Sequence, residues 1–85
     1  MIEENLTAGV REVVKECAGL KTDADALDVG TDLYAAGMTS FASVEVMLGL
    51  EEKFGVVFPQ DMIRRSSFAT IAAMAETVSQ IRAQA

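Results

Sequence analysis

The chain has 85 residues, 51% of them hydrophobic, and thirteen acidic against seven basic side chains give a net charge of −6 and a pI near 4.4. That length makes one domain, residues 1–85, able to hide only about 60% or a little more of its unfolded surface, and its acidity repels a nucleic-acid phosphate backbone. With no histidine and a single cysteine, Cys17, conventional catalytic constellations and disulfide frameworks lack their residues.

One proline and six glycines argue against disorder. The segment Ile2-Glu3-Glu4-Asn5 is acidic where a signal peptide is basic, and no apolar run is long enough to span a bilayer, so a cytoplasmic protein without membrane contact is expected. An acidic surface serves solubility, and it also favours partners with basic patches.

Leu6, Val10, Val13, Val14 and Cys17 recur at helical spacing and predict a first helix from about residue 3 to 18. Glu3 and Glu4 fall in its first turn, where they complement the dipole, and Gly19 is a natural stop. Cys17 shares the apolar stripe, which predicts a buried packing residue rather than a reactive thiol. Residues 20 to 39 form a long polar connection carrying Asp23, Asp25, Asp28 and Asp32, with room for a single turn over Asp32 to Gly37. Connections of this length are usually functional or mobile. The acids do not make a calcium loop. With Asp23 at the first position of an EF-hand, Leu27 takes the fifth, Asp28 replaces the required glycine and Tyr34 stands where the bidentate glutamate belongs.

Residues 40 to 54 read as the second helix, with Gly55 as a left-handed C-cap and Phe58-Pro59 turning the chain. Gln60 to Arg64 has space for one helical turn, and Arg64-Arg65, the only basic pair, reads either as a contact for an acidic patch on a partner or, more ordinarily, as a solvated surface pair. Ser66 or Ser67 is expected to cap a last helix carrying Phe68, Ile71, Ala75, Val78 and Ile81. Val56-Val57-Phe58 is too short and isolated to found a sheet. The expected class is all-α, with three main helices and one or two short ones around one core.

At about 100° per residue, Ser43, Val46, Met47, Leu50 and Phe54 share one arc of the second helix, which should face the core. A second arc holds Phe41, Val44, Glu45, Leu48, Glu51 and Glu52, mixing large apolar side chains with carboxylates. It is either a docking surface or a wide core stripe whose Val44 and Leu48 are covered by the long connection. Ser40, at the helix start, is open to two readings as well. A serine ahead of an apolar-periodic run is usually an N-cap. The same position, with unpaired backbone N–H groups and the positive dipole end, also suits a phosphate ester.

The block Asp32-Leu33-Tyr34-Ala35-Ala36-Gly37-Met38-Thr39-Ser40-Phe41-Ala42-Ser43-Val44-Glu45, continuing through Leu50-Glu51-Glu52-Lys53-Phe54 to Phe58-Pro59, resembles the acyl carrier protein family. The likeness extends more loosely to about Val78, with Phe68 and Ile71 at the start of the family's last helix. It implies a small four-helix bundle with a long first connection and a short third helix. It implies that Ser40 bears a 4′-phosphopantetheine arm, transferred from coenzyme A by a phosphopantetheinyl transferase. The arm's thiol would hold an acyl or aminoacyl group as a thioester, loaded by an acyl or amino acid:carrier protein ligase and passed to a downstream acyltransferase or synthase. Met38, Thr39, Phe41, Val44, Glu45, Leu48, Glu51 and Glu52 would form the partner-binding surface of a monomeric carrier that is not itself an enzyme. Thr39 stands in place of the family's usual aspartate, Phe41 in place of leucine, and Ala42 lacks a charge common in fatty-acid carriers. This wording is similar to a bacterial group of free-standing carriers loaded with amino acids by ligases resembling seryl-tRNA synthetases, which favours aminoacyl over fatty-acyl cargo. The rival reading is a helical interaction module without a prosthetic group, in which Ser40 only caps its helix.

Overall fold

The computed structural model describes residues 4–84, so the expected helix start at Glu3 and the side chains of Glu3 and Glu4 lie outside the described residues. Among those described, there are three α-helices, three short 3-10 turns and no strand: α1 (Glu4–Cys17), α2 (Ser40–Phe54) and α3 (Ile71–Gln84). Leu6, Val10, Val13 and Val14 turn the stripe of α1 inward, and Val46 and Leu50 of α2 meet them with Ile71, Met74, Ala75 and Val78 of α3. Burying each large side chain of this set contributes about 1.5–3 kcal/mol. No helix among the described residues is long and apolar enough to cross a membrane.

Two glycines let α1 and α2 approach closely. A Cβ on Gly49 would lie 2.8 Å from Val13 Cγ1, and one on Gly9 would lie 2.7 Å from Phe54 Cζ. The glycines therefore remove bulk where the helices cross, and Lys53 bridges to Glu12 at 2.9 Å beside the contact. That ion pair is exposed and adds little.

The long connection is ordered by named bonds. Arg11 Nη1 donates to the carbonyls of Ala24 and Leu27, both at 2.7 Å, and Lys15 pairs with Asp25 at 2.8 Å. Between them Ala24–Ala26 forms a 3-10 turn, whose cap is Asp23 accepting the Asp25 N–H. Further on, Asp32 Oδ1 accepts the Tyr34 N–H at 3.0 Å and starts the expected turn. Asp23 and Asp32 thus shape the backbone. The segment is then stitched to α3 and to the residues just before it: the Ala72 N–H reaches Val29 O at 2.9 Å, and the Leu33 N–H reaches Ala69 O at 2.7 Å. Leu33 itself is fully buried.

The second helix begins and ends where its sequence predicts, but with a different cap. Thr39 is the N-cap, its Oγ1 accepting the Ala42 N–H at 3.0 Å, and Ser40 is the first helical residue. Gly55 closes the other end at φ +64°, a left-handed conformation that a side chain would strain. After Pro59 come 3-10 turns over Gln60–Met62 and Arg65–Phe68 in the place of the expected short third helix. Neither Ser66 nor Ser67 caps α3. Both sit inside the second turn, and Thr70 Oγ1 accepts the Ala73 N–H at 2.9 Å instead. Phe68 consequently belongs to that turn, packed against Phe58 with ring centroids 5.4 Å apart.

Two stability predictions follow from these contacts. Gly49→Ala gains helix propensity worth at most about 1 kcal/mol but forces Cβ into Val13; a net loss of about 1–2 kcal/mol is expected from such overpacking. An unchanged urea midpoint would mean that α1 and α2 separate freely. In the same assay Thr39→Ala should lose about 1 kcal/mol as a deleted cap, while Ser40→Ala stays within about 0.5 kcal/mol.

Candidate functional site

Three hydroxyls cluster at the start of α2, and their hydrogen bonds sort them. Thr39 is occupied as the cap. Ser43, buried, donates to the Ser40 carbonyl at 2.6 Å. The Ser40 hydroxyl has no hydrogen-bond partner among the described residues, and the residue is exposed. No acidic side chain stands in the first turn of α2, so the positive end of its dipole is not neutralised from within the helix. An anionic group carried on Ser40 Oγ would enter that field.

Beside Ser40 lies an open cleft of about 370 Å³, walled on one side by Val44 and Met47 of α2 and on the other by Ile63, Arg64, Arg65 and Phe68. Tyr34 closes one wall. The Arg65 guanidinium lies over its ring at 3.8 Å from the centroid, and the Tyr34 hydroxyl donates to the Arg65 carbonyl at 3.4 Å. No carboxylate lines this cleft among the described residues, and the chain has no histidine. Ser40 therefore has no base beside it to make it a catalytic nucleophile. Arg64 and Arg65 are exposed, and the fold brings them into the cleft beside Ser40.

The outer face of α2 is open. Phe41 is 75% exposed, Val44 50% and Leu48 54%, so the long connection does not cover them. That connection is committed to α1 through Arg11 and Lys15 and to α3 through Val29 and Leu33. Glu45 and Glu52 are exposed beside this apolar ridge. Two expected surface residues are placed otherwise. Met38 is 3% exposed and packs into the core, because the chain dives inward between the Gly37 turn and the helix start. Glu51 is half-buried, its carboxylate accepting the Phe58 N–H at 2.9 Å and so holding the loop after α2. Thr39 remains at the surface, with its hydroxyl engaged.

Cys17 is half-buried rather than sealed in the core, in a groove between α1 and α2 that Glu12, Glu16, Gly49 and Glu52 also line. Burial pushes its thiol above the ordinary value, and the nearby carboxylates of Glu16, Glu45 and Glu52 raise it further. A thiol held protonated in this way is a poor nucleophile. No group of three or more histidine, cysteine, aspartate or glutamate side chains able to hold a metal ion occurs among the described residues.

Known proteins share both this sequence and this geometry. Residues 8–78 match the phosphopantetheine attachment site family. An aminoacyl carrier protein of Agrobacterium fabrum is 45% identical over 76 residues, 89% of this chain and 92% of that one. A carrier protein from Agrobacterium tumefaciens, crystallised with an engineered Bradyrhizobium japonicum glycine:carrier protein ligase and ATP, superposes with a TM-score of 0.87 at 45% identity, over 89% of this chain and 99% of that one. A solution structure of an Agrobacterium tumefaciens protein matches with a TM-score of 0.72 at 44% identity, over 91% of this chain and 93% of that one. A helical bundle that presents an unpaired serine hydroxyl at the head of its second helix, and matches along most of its length, belongs to the phosphopantetheine-attachment family of carrier proteins.

Proposed function

We propose that Ser40 is the residue that bears the 4′-phosphopantetheine arm, and that the arm's thiol carries an aminoacyl group as a thioester. The observation that carries this reading is the sorting of hydroxyls at the start of α2: Thr39 and Ser43 are engaged, and exposed Ser40 Oγ alone of the three lacks a partner among the described residues. A phosphodiester there faces the free N–H groups and positive dipole end of a helix with no first-turn acid. The arm supplies the reactive thiol when attached. The chain's own residues orient its root and dock its partners. The chain is a carrier and not an enzyme.

The aminoacyl cargo is supported by 45% identity to an aminoacyl carrier protein over nearly its full length. A phosphopantetheinyl transferase would install the arm, an amino acid:carrier protein ligase would load it, and a downstream acyltransferase or synthase would receive the cargo. Phe41, Val44, Glu45 and Leu48, with Thr39 and Glu52 at their border, are the surface that meets these enzymes. Met38 and Glu51 support it from within. The carrier works as a monomer in the cytoplasm, where reducing conditions keep Cys17 a thiol. Contacts of this modest size release readily, as a carrier visiting several enzymes requires.

Intact mass before and after incubation with coenzyme A and a broad-specificity phosphopantetheinyl transferase tests the site. One phosphopantetheine unit should be gained by the wild-type chain and none by Ser40→Ala; a modified Ser40→Ala would remove Ser40 from this role. In the loaded protein near neutral pH, a thiol reagent should alkylate the arm several-fold faster than Cys17, which is half-buried and whose pKa is raised. Peptide mapping reads the ratio, and the Cys17 rate should climb as pH rises. Equal rates would show that Cys17 is not protected.

A further inference from the structure

The two flanks of α2 face different charge: carboxylates border it on the α1 side, and two arginines stand across the cleft on the other. Gly49, Glu52 and Lys53 border the groove against α1, while Val44 and Met47 border the cleft against the segment 63–68. On the α1 edge Glu52 lines the groove with Glu16, and Glu45, two helical turns before Glu52, lies on the same side of α2; Glu45 and Glu52 are both exposed. On the cleft edge stand Arg64 and Arg65. Between the flanks runs the exposed apolar ridge of Phe41, Val44 and Leu48, continued across the cleft by Ile63 at 47% exposure.

The arginine pair is conspicuous in a chain of net charge −6. The ion pairs among the described residues are Lys15–Asp25 and Lys53–Glu12, and neither arginine takes part in one. The Arg65 guanidinium carbon lies 3.8 Å from the centroid of the Tyr34 ring. That contact limits its motion, and its charge is unpaired among the described residues, so less ordering remains to be lost when it meets a carboxylate. We propose that Arg64 and Arg65 form a second, positive pole of the docking surface, pairing with carboxylates on an amino acid:carrier protein ligase while Glu45 and Glu52 pair with that enzyme's basic side chains.

This inference rests on the carrier reading above, and the ligase is the partner because a carrier 45% identical to this chain is found bound to one. Its consequence is orientation. An apolar ridge along a single helix lets a partner sit either way round, yet the arm must enter the active site from one direction. With acids on one edge and arginines on the other, the reversed arrangement sets like charges against each other and is rejected.

The test uses the full chain, loaded to completion with phosphopantetheine and checked by intact mass, and a glycine:carrier protein ligase as the probe. Aminoacylation is followed at low and at raised salt for wild type, Arg64→Glu, the Arg64→Glu/Arg65→Glu double variant, Arg65→Lys and the Glu45→Lys/Glu52→Lys double variant. KM should rise about tenfold for each charge reversal with kcat kept, Arg65→Lys, which keeps the charge but loses the contact with Tyr34, should rise only about two- to threefold, and the differences should shrink as salt is raised. Thermal melting of each variant separates this from misfolding, and Arg64→Glu, which breaks no side-chain hydrogen bond or ion pair among the described residues, keeps the test sound if the double variant unfolds. Unchanged KM in both arginine variants overturns the proposal. So does an effect on kcat alone, which would assign the pair to the arm's own phosphodiester, and so does a loaded wild-type chain that the ligase leaves unacylated. A chain that gains no phosphopantetheine at all is a failure of the Ser40 reading instead.

Discussion

The backbone of Leu33 is the pivot on which the position of the serine turns. Its N–H donates to Ala69 O at 2.7 Å, which ties the middle of the long connection to the residues just before α3. Its carbonyl accepts the N–H of Met38 at 3.0 Å, closing the turn that Asp32 opens and Gly37 completes at φ +116°. Its side chain and that of Met38 are both buried, so the chain is anchored in the core on either side of the turn. Two residues after the second anchor comes Ser40, with Thr39 between them as the cap. The serine can be exposed and still held in place because the segment before it is plugged into the core and the helix after it is packed there.

The second helix divides its circumference between two tasks. Val46 and Leu50 are fully buried and Ser43 nearly so, while Phe41, Val44 and Leu48 remain in solvent. A helix with large apolar residues on most of its surface would ordinarily be sunk in a larger core. Here the chain supplies cover for only one side, because the long connection is drawn toward α1 by Arg11 and toward α3 by Leu33. The uncovered side is the kind of surface that a partner completes. Its polar border is itself divided: Glu51 is spent on the Phe58 N–H and secures the loop, whereas Glu45 and Glu52 are exposed.

The close crossing of α1 and α2 serves the same arrangement. Gly9 and Gly49 let the two helices approach until Val13 and Phe54 fill the space that their side chains would take. The crossing ties α2, at whose head Ser40 stands, firmly to the rest of the bundle. The half-buried Cys17 sits in the same crossing, where burial and surrounding carboxylates keep its thiol protonated. The chain thereby avoids offering a second nucleophile beside the thiol of a loaded arm.

Much of this was written in the order of residues. The bounds of α2, its glycine cap, the inward stripe of α1 and the turn over residues 32 to 37 all follow from local rules, periodicity and capping, that act within a few positions of the chain. The likeness to carrier proteins was legible for the same reason, since it resides in one continuous block around Ser40. What the sequence could not decide were questions of which distant segment lies where. Whether Val44 and Leu48 are covered depends on the path of residues 20 to 39, and that path is set by bonds from Arg11 and to Ala69. Whether Thr39 or Ser40 caps the helix is a matter of one residue of phase, which periodicity does not resolve. The same holds for Ser67 and Thr70, because the preceding stretch forms a 3-10 turn, whose few hydrogen bonds leave little trace in composition. The arginine pair belongs to this second class as well. More than twenty residues separate it from Ser40 along the chain, and only the packing of Phe68 on Phe58 and of Arg65 on Tyr34 brings it to the serine's side.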